Sequence, residues 1–229
     1  MKFLPTLAAL ILLALPAAAN TIPTDDKASQ ARACRDATAQ TEQRYRIPAG
    51  LLGAIALVES GRSIKGVSAR TAWPWTIHSQ GTGRWLDTRD EAIAMVQDLK
   101  SQGVKNIDVG CMQVNLMHHP DAFKDMKSAF TPAVNADYAG KFLSELFQET
   151  RSWTRAAAFY HSRTPERGNN YRKLVLAAWN GQATAIRRAV RNEVRARTGR
   201  NVSVSGKLRR LGSSVYIQTG RNAIRIRKY

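Results

Sequence analysis

The run Pro48-Ala49-Gly50-Leu51-Leu52-Gly53-Ala54-Ile55-Ala56-Leu57-Val58-Glu59-Ser60-Gly61 is apolar almost to its end, where a carboxylate and a hydroxyl stand side by side. Pro48 is placed to open a helix, because its fixed φ suits a first turn. Leu52, Ile55 and Glu59 recur at i, i+3 and i+7 with Ala56 beside them, which puts all four on one stripe. Gly61 is expected to stop the helix. The stripe is that of a buried helix, and it ends in an ionisable group.

Outward from this helix the pattern stays mostly helical. Residues 28–45, rich in Ala, Gln and Arg, read as a preceding helix that ends at Ile47-Pro48. Beyond it, residues 73–86 look extended: Trp75, Ile77, Trp85 and Leu86 flank a Gln80-Gly81-Thr82-Gly83 turn, the pattern of a hairpin. Thr88 with Glu91 forms a capping box for a helix through Gln102, terminated by Gly103. Asn106 to Val109 is a short extended stretch. Thr131-Pro132 opens a helix to about Thr150, and 153–161 and 169–179 read as two more. The expected class is α+β, mostly helical, with a small β-hairpin inserted after the second helix.

Composition supports a folded chain. Of 229 residues, 44% are hydrophobic and 23% charged, which excludes disorder as a description of the whole. The formal charge is +18, a balance that favours polyanionic surroundings. Lys2, the short apolar run Leu7–Leu15, Pro16 and Ala17-Ala18-Ala19 together read as a secretory signal peptide at 1–19. Later segments lack the 18 or so continuous apolar residues of a membrane span. These features imply export, and the expected location is the periplasm of a Gram-negative bacterium, after secretion across the inner membrane. Export makes nucleic acid a poor fit as partner despite the charge. The basic residues crowd toward the end, since 13 Lys and Arg stand against Glu193 alone in residues 181–229. The domain is therefore placed at 28–180 and a basic extension, partly helical or disordered, at 181–229. That extension is either a solvated tail or an adhesive arm for anionic polymer.

Three blocks carry chemistry. A carboxylate on a buried stripe is costly to ionise, so the pKa of Glu59 should rise, as a general acid requires near neutral pH. The bland alternative is a helix-end Glu paired with Arg62. Gly110-Cys111-Met112-Gln113-Val114-Asn115 offers a glycine turn followed by two amides, and amides read sugar hydroxyl and acetamido groups with donor and acceptor together. Ala156-Ala157-Ala158-Phe159-Tyr160-His161 allows close helix packing and brings in a tyrosine hydroxyl. Tyr160 and His161 are each also readable as ordinary core residues. Trp73, Trp75 and Trp85 are sugar platforms or hairpin packing. The Tyr171–Trp179 helix looks chiefly structural.

Taken in order, Val58-Glu59-Ser60, then Gly110 to Asn115, then Ala156 to His161, the chain resembles the lytic transglycosylases of the soluble, lysozyme-like family over roughly residues 45–180. The resemblance implies a lysozyme-like domain in which Glu59 is the sole catalytic acid and base. Ser60 would orient it or the substrate; Gln113, Met112 and Asn115 would line the sugar site; Tyr160 would hydrogen-bond near the Glu59 carboxyl group. The substrate implied is peptidoglycan, cut without water. Cys111 stands where Leu is usual and His161 where Asn is usual, so the role of that Asn is not carried over. Trp73-Pro74-Trp75 is similar to secretion- and conjugation-associated members, which implies an envelope complex as partner. The alternatives are a muramidase that adds a second carboxylate, Asp108 being the nearest, and a non-catalytic peptidoglycan-binding module.

Two cysteines in an exported domain favour a Cys34–Cys111 bridge. Closing that loop is worth roughly 4 kcal/mol in the chain-entropy model. There is no Cys-x-x-Cys, and the adjacent His118-His119 is poor geometry for one metal. No cofactor or metal is expected.

Overall fold

The computed structural model describes residues 24–65, 69–199 and three strands within 207–226; the expected signal peptide lies outside the described residues. Helices α1 (Thr24–Arg44) and α2 (Leu51–Ser60) come first, followed by the short strands β1 (Gly61–Arg62) and β2 (Thr71–Ala72). Next come β3 (Thr76–Ser79), β4 (Thr82–Trp85), α3 (Arg89–Ser101), β5 (Ile107–Val109) and β6 (Val114–Asn115). The helical remainder is α4 (Met126–Ala129), α5 (Pro132–Thr150), α6 (Trp153–His161) and α7 (Pro165–Thr198). Strands β7 (Lys207–Leu211), β8 (Ser214–Thr219) and β9 (Asn222–Ile226) form a separate antiparallel sheet in that order. The fold is α+β and mostly helical.

Helix α2 lies in the core because it has little else to offer water. Leu51, Leu52, Ala54, Ile55 and Ala56 are buried and pack with residues of α1, α5, α6 and α7. Burying it leaves its first N–H groups without water, and no side chain of its own caps them. Glu42 of α1 supplies the acceptor instead, taking Gly50 N–H at 2.7 Å and Gly53 N–H at 3.1 Å. A carboxylate at this end also complements the helix dipole. Trp179 of α7 ties down the same end by donating its indole N–H to Ala49 O at 2.8 Å. The other end of α2 differs from expectation. Gly61 is extended, with φ −63° and ψ 128°, and is no left-handed cap. A Cβ there would collide with the Leu57 carbonyl, so glycine permits the immediate turn from α2 into β1.

The hairpin forms with a two-residue turn. Gln80 and Gly81 both have positive φ, 50° and 75°, the combination that matches the twist of paired strands. It is one half of a larger sheet, ordered β4-β3-β5-β6. Ile77, Ile107 and Val109 turn inward onto Val96 and Leu99 of α3. The capping box of Thr88 and Glu91 is present at the start of α3. The expected helix at 169–179 is one section of α7, so a boundary at 180 falls inside a continuous helix. The basic segment contains the end of that helix and the strands β7 to β9.

Candidate active site

The site is built where the last turn of α2 meets β5–β6, α6 and α7. Glu59 keeps partial exposure, and its carboxyl group is raised to a pKa of about 7. Burial is the largest cause; the nearby charge of Asp108 adds to it, while a hydrogen bond from Tyr171 opposes it. Tyr171 donates its hydroxyl to Glu59 Oε1 at 2.5 Å. The ring of His161 stacks on that of Tyr171, with centroids 4.6 Å apart and planes 6° from parallel. Burial holds the His161 pKa below its usual value, which favours a neutral stacking partner. Arg62 does not pair with Glu59. It reaches toward Asp87 at 4.0 Å and lies over the Trp73 ring, 4.8 Å from its centroid.

The tyrosine that hydrogen-bonds Glu59 directly is Tyr171, and Tyr160 lies beside the pair. Tyr160 donates to the Met112 carbonyl at 2.9 Å. Its hydroxyl is buried near Glu59, whose charge helps push its pKa well up. Its direct bond, however, is to backbone. Tyr171 sits on a helix that seemed structural from its pattern alone. The available signal was its place four residues before Val175 on an inward stripe, where a phenol needs a polar partner.

The block 110–115 is chiefly scaffold. Gly110 has φ +82°, and a Cβ there would run into the side chain of Asn135. Asn135 is fully buried on α5. It accepts Met112 N–H at 2.9 Å and donates to Val109 O at 3.1 Å and Ala129 O at 3.0 Å. One amide thus satisfies two backbone groups of the turn and one at the end of α4. Sequence reasoning missed it; the clue was an amide on the buried face of α5, beside Ala136 and Ala139. Met112 is wholly buried and offers no side-chain atom to a ligand. Gln113, at φ +48°, donates its amide to Thr76 O and Gly110 O, both at 3.0 Å. Asn115 donates to Asn106 and Asp108 and accepts Met117 N–H and His118 N–H, both at 3.0 Å. Its amide is committed to the protein.

Ser60 is likewise internal. It is fully buried, with its hydroxyl 2.7 Å from Cys111 O and 3.1 Å from Ala56 O, and it accepts Trp73 N–H at 3.3 Å. It fastens the end of α2, and so Glu59, to the turn. The Cys34–Cys111 disulfide is present and fastens α1 to the same turn.

The three tryptophans separate. Trp73 has no exposed surface, and its indole N–H donates to Leu86 O at 2.7 Å, so it cannot present a face to a sugar. Trp75 is half-buried and meets Trp73 edge-on, with centroids 5.6 Å apart. Trp85 is 44% exposed and donates its indole N–H to Ser60 O at 3.1 Å, which anchors an open aromatic surface at the residue after Glu59.

On the sheet, His78, Asp108 and Asn115 occupy one register row. Asp108 accepts from Asn115 at 2.7 Å and lies 3.4 Å from His78 Nδ1. His119, of the adjacent pair, is hydrogen-bonded to the Tyr138 hydroxyl at 2.9 Å.

A family model described as the transglycosylase SLT domain matches residues 36–201. Comparison with curated proteins and with solved structures finds no match.

Proposed function

The chain belongs to the transglycosylase SLT family, and from that premise we propose that it cleaves peptidoglycan without water, with Glu59 as acid and then base. Family membership supports lytic transglycosylase activity in general and peptidoglycan as substrate. The observation that carries the finer reading is a single carboxyl group, raised to about 7, held by Tyr171 at a partly open position.

The chemistry follows from that protonation state. Near neutral pH a substantial share of Glu59 is protonated, so it can give its proton to the glycosidic oxygen between N-acetylmuramic acid and N-acetylglucosamine. The C1–oxygen bond breaks, and the substrate's own 2-acetamido group stabilises the cationic C1, which removes the need for a second carboxylate. Glu59, now ionised, takes the proton of the C6 hydroxyl while that oxygen bonds to C1. The 1,6-anhydro ring closes and Glu59 regains its proton. Tyr171 stabilises the ionised intermediate form, and His161 keeps the tyrosine ring in place. Trp85 offers the sugar platform beside the scissile bond.

A muramidase reading draws on Asp108, whose charge acts on Glu59. Asp108 is already held by Asn115 and His78, which favours a structural and electrostatic part for it. Among the described residues no helix is long and apolar enough to cross a membrane. Action in the periplasm, after removal of residues 1–19, completes the proposal, with an envelope complex as its setting.

Mass spectrometry of muropeptides released from purified sacculi tests it. Anhydro-muropeptides are expected, and Glu59→Gln should abolish their release. Reducing-end products would establish a hydrolase instead. Substantial turnover by Glu59→Gln would remove Glu59 from the mechanism.

A further inference from the structure

A recess of about 330 Å³ opens between α6 and α7, on a side of the molecule that the cleavage reaction does not use. Helical geometry separates it from the site. At about 100° per residue, Arg155, Ala158, Phe159 and Ser162 cluster on one face of α6. Ala156, Ala157 and Tyr160, which face the core and Glu59, fall on the roughly opposite face.

The recess combines two chemistries. Its apolar lining comes from Ala158, Phe159 and Pro165. Its charge comes from Arg155, Arg163 and Arg172. Arg163 is paired with Glu149 through its two terminal guanidinium nitrogens and also lies 5.2 Å from the centre of the Phe159 ring. Arg155 and Arg172 have no acidic partner among the described residues. Asn169 adds a side-chain amide, which can pair with a peptide group through donor and acceptor together. The walls are held close because α7 packs tightly against the α6–α7 link: a Cβ on Gly168 would strike the Ser162 carbonyl.

We propose that this recess binds a carboxylate-bearing stem peptide of peptidoglycan, belonging to a part of the polymer other than the sugar being cut. The proposal rests on peptidoglycan as substrate. A stem peptide supplies what the recess asks for: free carboxylates for two unpaired guanidinium groups, peptide amides for Asn169 and aliphatic side chains for the apolar wall. A bare phosphate would satisfy only the first. Holding a neighbouring stem would keep the enzyme on cross-linked wall between cuts.

The test is an amide-shift titration of the full exported chain with free stem tetrapeptide. Resonances of Ala158, Gly168 and Asn169 should shift saturably, and Arg155→Gln/Arg172→Gln should weaken binding roughly tenfold. Both side chains lie at the surface edge of the recess, so the variant should keep its fold and its activity on stem-free glycan. An equal response to inorganic phosphate would replace the peptide site with a general anion site and overturn the proposal. Shifts confined to the surroundings of Glu59 and Trp85, or none at all, would also overturn it. The titration needs no turnover. Failed binding alongside anhydro products would leave the proposed reaction standing; retained binding without any lytic product would sink the reaction alone.

Discussion

Tyr171 on α7 donates its hydroxyl to Glu59 on α2 across 112 positions of sequence, at 2.5 Å. The bond pulls against the main force on this carboxyl group. Burial favours the neutral acid, whereas a phenolic donor favours the carboxylate. Glu59 must hold a proton before cleavage and release it during the step. The pair sets a balance between those demands near neutrality.

Tyr171→Phe removes the interaction that lowers the pKa, so Glu59 should titrate above its present value of about 7. The alkaline limb of kcat/KM should move to higher pH. The maximal rate should fall, on the order of tenfold or more, because the intermediate carboxylate loses a donor. A pH–rate profile reads both effects. A merely structural contribution would lower the rate equally at every pH and leave the limb in place.

Glu59→Gln should change stability with a definite pH dependence. The folded pKa of Glu59 is raised, from 4.5 to about 7. Below the lower value the acid is neutral in both states and carries no penalty. As pH rises between the two values, the unfolded chain ionises first and stability is lost. Removing the carboxyl group should therefore stabilise the protein at pH 8 relative to pH 4, by on the order of 3 kcal/mol. Melting curves of both proteins across that range check it; a constant difference would contradict the assigned burial.

Asn135→Ala would strand one buried N–H and two buried carbonyls of the 109–112 turn and its surroundings. A loss of roughly 2–4 kcal/mol is expected. Gly110→Ala meets the same amide and a positive φ, and should cost on the order of 2 kcal/mol or more. Denaturant midpoints should fall with unchanged slope.

Reduction of Cys34–Cys111, separated by 77 positions, should lower stability by roughly 4 kcal/mol in the chain-entropy account. Cys111 is in the turn that Ser60 grips, so reduction should also lower activity before global unfolding. Thermal scans and assays with and without reductant separate the two effects. Equal melting temperatures would contradict a structural bridge.

A chain ending at Gly199 keeps α7, including Trp179, which holds the start of α2. It should still cut short glycan fragments. It loses eight Lys and Arg and no acid, so pelleting with sacculi should weaken and lose its salt sensitivity. Insolubility, or inactivity on short fragments, would instead assign the strands β7 to β9 a part in completing the fold.

Local rules carried much of this protein. A stripe ending in Glu59, a capping box at Thr88 and Glu91, and a Gln80-Gly81 turn are properties of neighbours in sequence, where spacing and φ preference decide. The same holds for the raised acid, since an ionisable residue on an apolar helix face can already be read as a general acid. The partners of that acid were beyond such reading. Tyr160 and Tyr171 are both tyrosines on inward helix faces, and only the packing of α6 and α7 against α2 determines which hydroxyl reaches Glu59. Trp73, Trp75 and Trp85 are equally aromatic in sequence. Exposure separates them, and exposure follows from how the sheet docks on the helices. Ser60 and Asn115 carry polar groups suited to a sugar, but buried backbone groups took Ser60 first, and the Asn106 and Asp108 side chains with two loop N–H groups took Asn115. An unpaired polar group in the interior costs more than a contact with substrate returns, and only the assembled fold shows where those unpaired groups would have been.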